Sequence, residues 1–114
     1  MRRLAVALIA FLPCVQHLRA EELLLIGSLA KTASPAVACP SAEEMDRLAQ
    51  LIRDGDKVAG GKFLLEHRCQ MIDAGVSGRV EDVSVWHGQY CFRAVGEPDC
   101  VWLMRGFLKS PADK

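Results

Sequence analysis

The side chains best able to do chemistry in this 114-residue sequence are its five cysteines, three histidines and a cluster of aromatic residues. The cysteines stand at 14, 39, 69, 91 and 100, and their spacing separates three kinds of sulfur chemistry. A zinc knuckle or a redox pair brings two thiols together across a C-x-x-C, and the sequence contains none. His67 lies near Cys69 and His87 near Cys91, but the remaining spacings are wide, so neither a metal site, another cofactor nor a thiol catalyst is expected. If Cys14 leaves with an N-terminal leader, four cysteines remain. An even number in an exported chain favours disulfides.

Trp86, Tyr90, Phe92 and Trp102 form the aromatic cluster. Phe92 and Trp102 are expected to fill a core, whereas Trp86 and Tyr90 flank a His87-Gly88 turn and are expected at the surface, as candidates for binding a glycan or peptide. His87 can hydrogen-bond or titrate beside them. Asp54-Gly55-Asp56 lacks the further oxygen ligands and closing glutamate of a calcium loop, and reads as a turn followed by a helix cap. Ser84 has no Asp and His at the spacing of a nucleophile elbow and its partners. No acid–base pair for catalysis emerges, and the chain is not expected to be an enzyme.

These residues must be positioned by a small set of elements. Arg2 and Arg3 followed by the apolar run Leu4–Leu12 and Pro13 read as an export signal, residues 1–20, cut after Ala20. Nine apolar residues fall short of the roughly 20 needed to span a bilayer, so no transmembrane span is expected in the mature protein. Ala36-Val37-Ala38 is an alternative cleavage site, which would leave Cys39 at the mature N-terminus as a possible site of lipid attachment. Residues 21–38 form an extension of unassigned structure, and residues 39–114 are expected to form one compact domain.

Within that domain, Ser41 and Glu44 have the spacing of a capping box, and Met45, Leu48, Leu51 and Ile52 recur at helical period, predicting a helix over 41–53. Asp56 can cap a second helix weakened by Gly60-Gly61, which completes a helical pair spanning 41–67. From residue 70 to 108 short runs rich in valine and aromatics predict strands at 70–72, 76–85, 89–94 and 100–104. Val76 and Val80 share one parity while Val83 and Val85 share the other, so a strand through them needs a bulge or bend near Glu81-Asp82. Cys91 and Cys100 flank one hairpin loop and are expected to pair, which leaves Cys39 for Cys69. Chain-entropy arguments give about 3.6 kcal/mol for the longer loop and about 2.6 for the shorter.

Charge narrows the partners. Fourteen basic residues balance fourteen acidic ones, and removing Arg2, Arg3 and Arg19 with a leader leaves eleven bases against fourteen acids. A mildly acidic domain carries no electrostatic footprint for nucleic acid.

From Cys39 onward, the order of features resembles a group of small exported bacterial proteins. In these a cysteine precedes a helical pair, a second follows it, and a strand module ends the chain. The strand module resembles a bacterial Src-homology-three-like barrel through Met71-Ile72, Ala74-Gly75, Val80 to Val85, Tyr90-Cys91-Phe92-Arg93, Val101-Trp102-Leu103 and the closing Gly106-Phe107-Leu108. The resemblance implies binding to cell-wall material or a protein partner in place of catalysis. The sequence thus leads to an α+β fold, two short N-terminal helices followed by a small antiparallel barrel-like sheet, stapled by disulfides. The expected protein is a monomeric periplasmic or secreted binding module, with a lipoprotein anchored through Cys39 as the alternative. Its expected partners are cell-wall glycan or an envelope protein. An inhibitor of a periplasmic or extracellular enzyme is the second functional reading, with Gly96-Glu97-Pro98-Asp99 as its protruding loop.

Overall fold

The structure, a computed structural model, describes residues 24–112. The export signal read at residues 1–20, including Cys14, lies outside them. The fold is α+β, but the helices do not come first: two strands, β1 (Leu29–Thr32) and β2 (Ala36–Ala38), precede them. Helices α1 (Ala42–Arg53) and α2 (Lys57–Glu66) follow, and then β3 (Gln70–Ile72), β4 (Ser77–Ser84), β5 (Gln89–Ala94), β6 (Val101–Met104) and β7 (Leu108–Lys109). A 3₁₀ turn at Arg105–Phe107 joins the last two strands.

Five strands pair antiparallel in the order β6-β5-β4-β1-β7, and β2 pairs with β3 in a separate ribbon. Among the described residues no ladder joins β6 to β7, so the sheet is bent but open and the expected barrel is not closed. The assignment of residues around Met71-Ile72 to the opening of the strand module is also corrected. Those residues form the ribbon with β2, and the strand beside β4 is Leu29–Thr32, from the far side of the helices.

β1 is therefore an interior strand, held by β4 through the register Leu29↔Arg79 and by β7 through Thr32↔Leu108. Thr32 is buried and ties the segment down further. Its hydroxyl donates to the Asp73 carbonyl at 2.6 Å and accepts from the Val76 N–H at 2.9 Å, while its own carbonyl accepts from the Gly75 N–H. Gly75 makes this turn at φ 79°, a left-handed conformation open to glycine at little cost.

The parity conflict along β4 is resolved where expected. Val80 faces Phe92, Asp82 faces Cys91 and Val83 faces Tyr90, so Glu81 is the extra residue of a bulge that puts Val80 and Val83 on one face. That face carries the main core, in which Ala30, Ala38, Val80, Tyr90, Phe92, Leu103 and Leu108 are buried together. The opposite face, through Trp102 and Met104, covers a second core of Cys39, Met45, Leu48, Ala49 and Cys69. With both faces covered, Gln89 through Phe92 are all buried.

α1 starts at the capping box. The Ser41 hydroxyl accepts from the Glu44 N–H at 3.1 Å and donates to Glu44 Oε1 at 2.9 Å, and Met45, Leu48 and Ala49 form the buried stripe. In α2, Asp56 caps the Ala59 N–H. α2 closes in a Schellman arrangement, with the Cys69 N–H bonded to the Leu64 carbonyl and Arg68 at φ 58° in the position that glycine usually takes. That reversal points the chain back along β2. The β2–β3 register, Ala38↔Gln70, then continues to Cys39 opposite Cys69, which are joined by a disulfide with Cα atoms 4.1 Å apart. Cys91 and Cys100 are joined across the β5–β6 hairpin, with Cα atoms 5.3 Å apart. Both pairings follow the expected connectivity. No helix among the described residues is long and apolar enough to cross a membrane.

Candidate binding site at the β4–β5 hairpin

β4 and β5 are joined by a tight turn, Val85–Gly88, with Gly88 at φ 65°. The turn closes with a bond from the Gly88 N–H to the Val85 carbonyl, and the Arg105 N–H reaches the Gly88 carbonyl at 3.1 Å. The turn is thus closed on itself and anchored at Gly88 by the residue that follows β6. At its end Trp86 is 97% exposed and Val85 is 84% exposed. An indole with almost no protein contact forgoes the burial that normally places tryptophan in cores or interfaces.

Beside the tip lies an open trough of about 530 Å³ between the hairpin and the start of α1. Its walls include Trp86, Trp102, Val83 and Pro40, and its polar groups are Ser41, Glu43, Ser84 and His87. No lysine or arginine lines it, so it offers no charge partner to a polyanion.

Of the three candidate binding residues, Trp86 and His87 lie in this trough and Tyr90 does not. The expectation that Tyr90 is exposed is corrected: it is 4% exposed and belongs to the main core, and its hydroxyl accepts from the Leu24 N–H at 2.9 Å. Strand parity explains this, because Tyr90 and Phe92 fall on the same face of β5. Phe92 is buried as expected, and Trp102 is half-buried, one side covering the helical core and another facing the trough.

The structure also brings together two residues that the spacing argument kept apart. Ser84 Oγ and His87 Nδ1 lie 2.8 Å apart across the turn. A tight turn between positions i and i+3 is the signal that announces such a contact. For general-base chemistry the imidazole would need a third group to orient it. Among the described residues His87 has no further hydrogen-bond partner, and the pair braces the hairpin tip.

A second imidazole contact lies outside the trough. His67 Nδ1 is 2.7 Å from Glu44 Oε2, and its ring stacks on Phe63 with centroids 3.9 Å apart. The hydrogen bond from His67, followed by that from Ser41, holds the Glu44 carboxyl below its ordinary range. This contact ties the start of α1 to the end of α2.

Among the described residues no group of three or more His, Cys, Asp or Glu side chains is arranged to hold a metal ion. Comparison with protein-family models, with curated proteins and with solved structures found no match.

Proposed function

We propose that this chain is an exported, non-enzymatic interaction module of the bacterial cell envelope, and that it makes contact through the β4–β5 hairpin tip and the adjoining trough. The observation that carries the reading is Trp86, an indole 97% exposed on a closed turn anchored through Gly88. Exposed aromatic anchors on rigid supports are the residues that contribute most when a partner covers them. Two disulfides support an oxidising location, periplasmic or extracellular.

The bulged β4, the consecutive antiparallel pairing of β4, β5 and β6, and the return of Leu108–Lys109 to β1 support a Src-homology-three-like module, opened at one seam and carrying the helical pair between its first two strands. A free Cys39 for lipid attachment does not fit this reading, because Cys39 is fully buried and bonded to Cys69.

The test is retention of the oxidised protein on isolated cell envelopes, comparing wild type with Trp86→Ala. Wild type is expected to be retained and the variant to lose most of its binding with its fold intact. Equal retention of the two would remove the hairpin from the account.

A second reading has its own observation. The loop from Val95 to Asp99 is exposed, closed at its base by Cys91–Cys100 and braced by the Glu97 N–H on the Ala94 carbonyl, which is the rigidity an inhibitory loop needs. Inhibition of an envelope hydrolase that is abolished by Glu97→Ala and Asp99→Ala would favour it.

A further inference from the structure

Trp86 is not isolated. The turn that leads into β1 carries Leu25 and Ile26, which are 72% and 63% exposed, and this turn lies at the same end of the sheet as the hairpin tip. The β1–β4 register fixes the proximity. Leu29 faces Arg79, the Gly27 N–H reaches the Val80 carbonyl, and Leu24 shares a small cleft with Val85 and Arg105. Four exposed apolar side chains, Leu25, Ile26, Val85 and Trp86, therefore stand on two adjacent loops of one rigid edge.

Their chemistry discriminates among partners. A sugar stacks on an indole face and leaves Leu25 and Ile26 without a role. A bilayer accepts aliphatic side chains into its acyl boundary and holds tryptophan at headgroup level. Two arginines flank the edge: Arg79 donates to the Gly27 carbonyl at 2.6 Å, and Arg105 follows β6 beside the Gly88 carbonyl. The exposed acids nearby are Asp82 on β4 and Glu43 across the trough from Trp86, and Glu81 is engaged by Arg93. The arginines can meet lipid phosphates while their stems cover apolar surface.

We infer that this edge docks peripherally on a phospholipid bilayer surface, with Leu25, Ile26, Val85 and Trp86 entering the interface and Arg79 and Arg105 facing the headgroup phosphates. The inference rests on the envelope-module reading and narrows its partner to lipid.

The test uses the protein as recovered from the periplasm of an exporting host, with phosphatidylethanolamine–phosphatidylglycerol vesicles and, separately, purified peptidoglycan sacculi. Wild type is expected to co-sediment with the vesicles, and its tryptophan emission to shift to the blue and be quenched by brominated acyl chains. Leu25→Ser/Trp86→Ser, checked by near-ultraviolet circular dichroism for an intact fold, is expected to bind at least tenfold more weakly. Vesicle binding unchanged in that variant overturns the inference. Binding to sacculi alone, or retention on neither material, overturns it and leaves the envelope-module reading to its own test on whole envelopes. A stable dimer that buries Trp86 in the absence of lipid also overturns it.

Discussion

At the scale of single residues, backbone geometry gives the sharpest expectations. A Cβ on Gly78 would collide with the Arg93 carbonyl oxygen and come within 2.7 Å of the Phe92 ring, where β4 pairs with the end of β5. Neither neighbour can move without opening the sheet or displacing the most deeply buried aromatic. Gly78→Ala is therefore expected to destabilise the fold by about 3 kcal/mol, at the upper end of overpacking costs, read as a fall in the urea midpoint. The opposite sign is expected at Arg68, where an L side chain sits in the left-handed region at the end of α2. Arg68→Gly removes a cost of roughly 1 kcal/mol and should raise the thermal midpoint, as long as the Cys39–Cys69 bond is intact. Part of this scale was legible in advance. The four cysteines, the Ser41–Glu44 cap and the buried Phe92 follow from spacing alone. Tyr90 was misplaced because its nearness to a turn outweighed its parity with Phe92. The Ser84–His87 contact belongs to a local turn, which the spacing of a catalytic triad does not announce.

At the scale of elements, α1 could be read because all its signals are local: a cap, a period and a stop. The bulge in β4 could be read because a parity break admits few geometric solutions. β1 and β2 could not. Leu23 to Ala30 has no clean period of two, it lies close to the apolar run Leu4–Leu12, and the partners of β1 are residues 77–79 and 108–109, far along the chain. Thr32 tests whether β1 is integral. Thr32→Val leaves the Val76 N–H and the Asp73 carbonyl without their side-chain partner and is expected to cost about 1–3 kcal/mol, while Thr32→Ser, which keeps the hydroxyl, should cost less; denaturation midpoints compare them. The start of α1 carries a pH dependence. The Glu44 pKa is lowered in the fold, so the unfolded chain binds the proton more readily. The stabilisation is fully present above the ordinary glutamate value of about 4.3, and it is lost as the pH falls through the depressed folded value. The stability difference between wild type and Glu44→Gln, measured by denaturant titration, should therefore shrink on acidification below about pH 4.3.

At the scale of the whole molecule, the two cores, the two disulfides and the interior position of β1 describe one cooperative unit that needs the residues from Leu24 onward. Cleavage after Ala38 would remove β1 and β2, strip β4 and β7 of their shared neighbour, and leave β3 unpaired. Cleavage after Ala20 would leave every described element in place. The doubly stapled domain beginning ahead of β1 is the form that presents Trp86, so its identity underlies every functional reading. The intact mass of the protein recovered from the envelope of its host, before and after reduction, tests this most directly. A chain that begins at Glu21, carries no lipid and gains four hydrogens on reduction is the expected result. A chain that begins at Cys39 with an acyl group attached would contradict the fold, the pairing of Cys39 with Cys69 and the functional edge together.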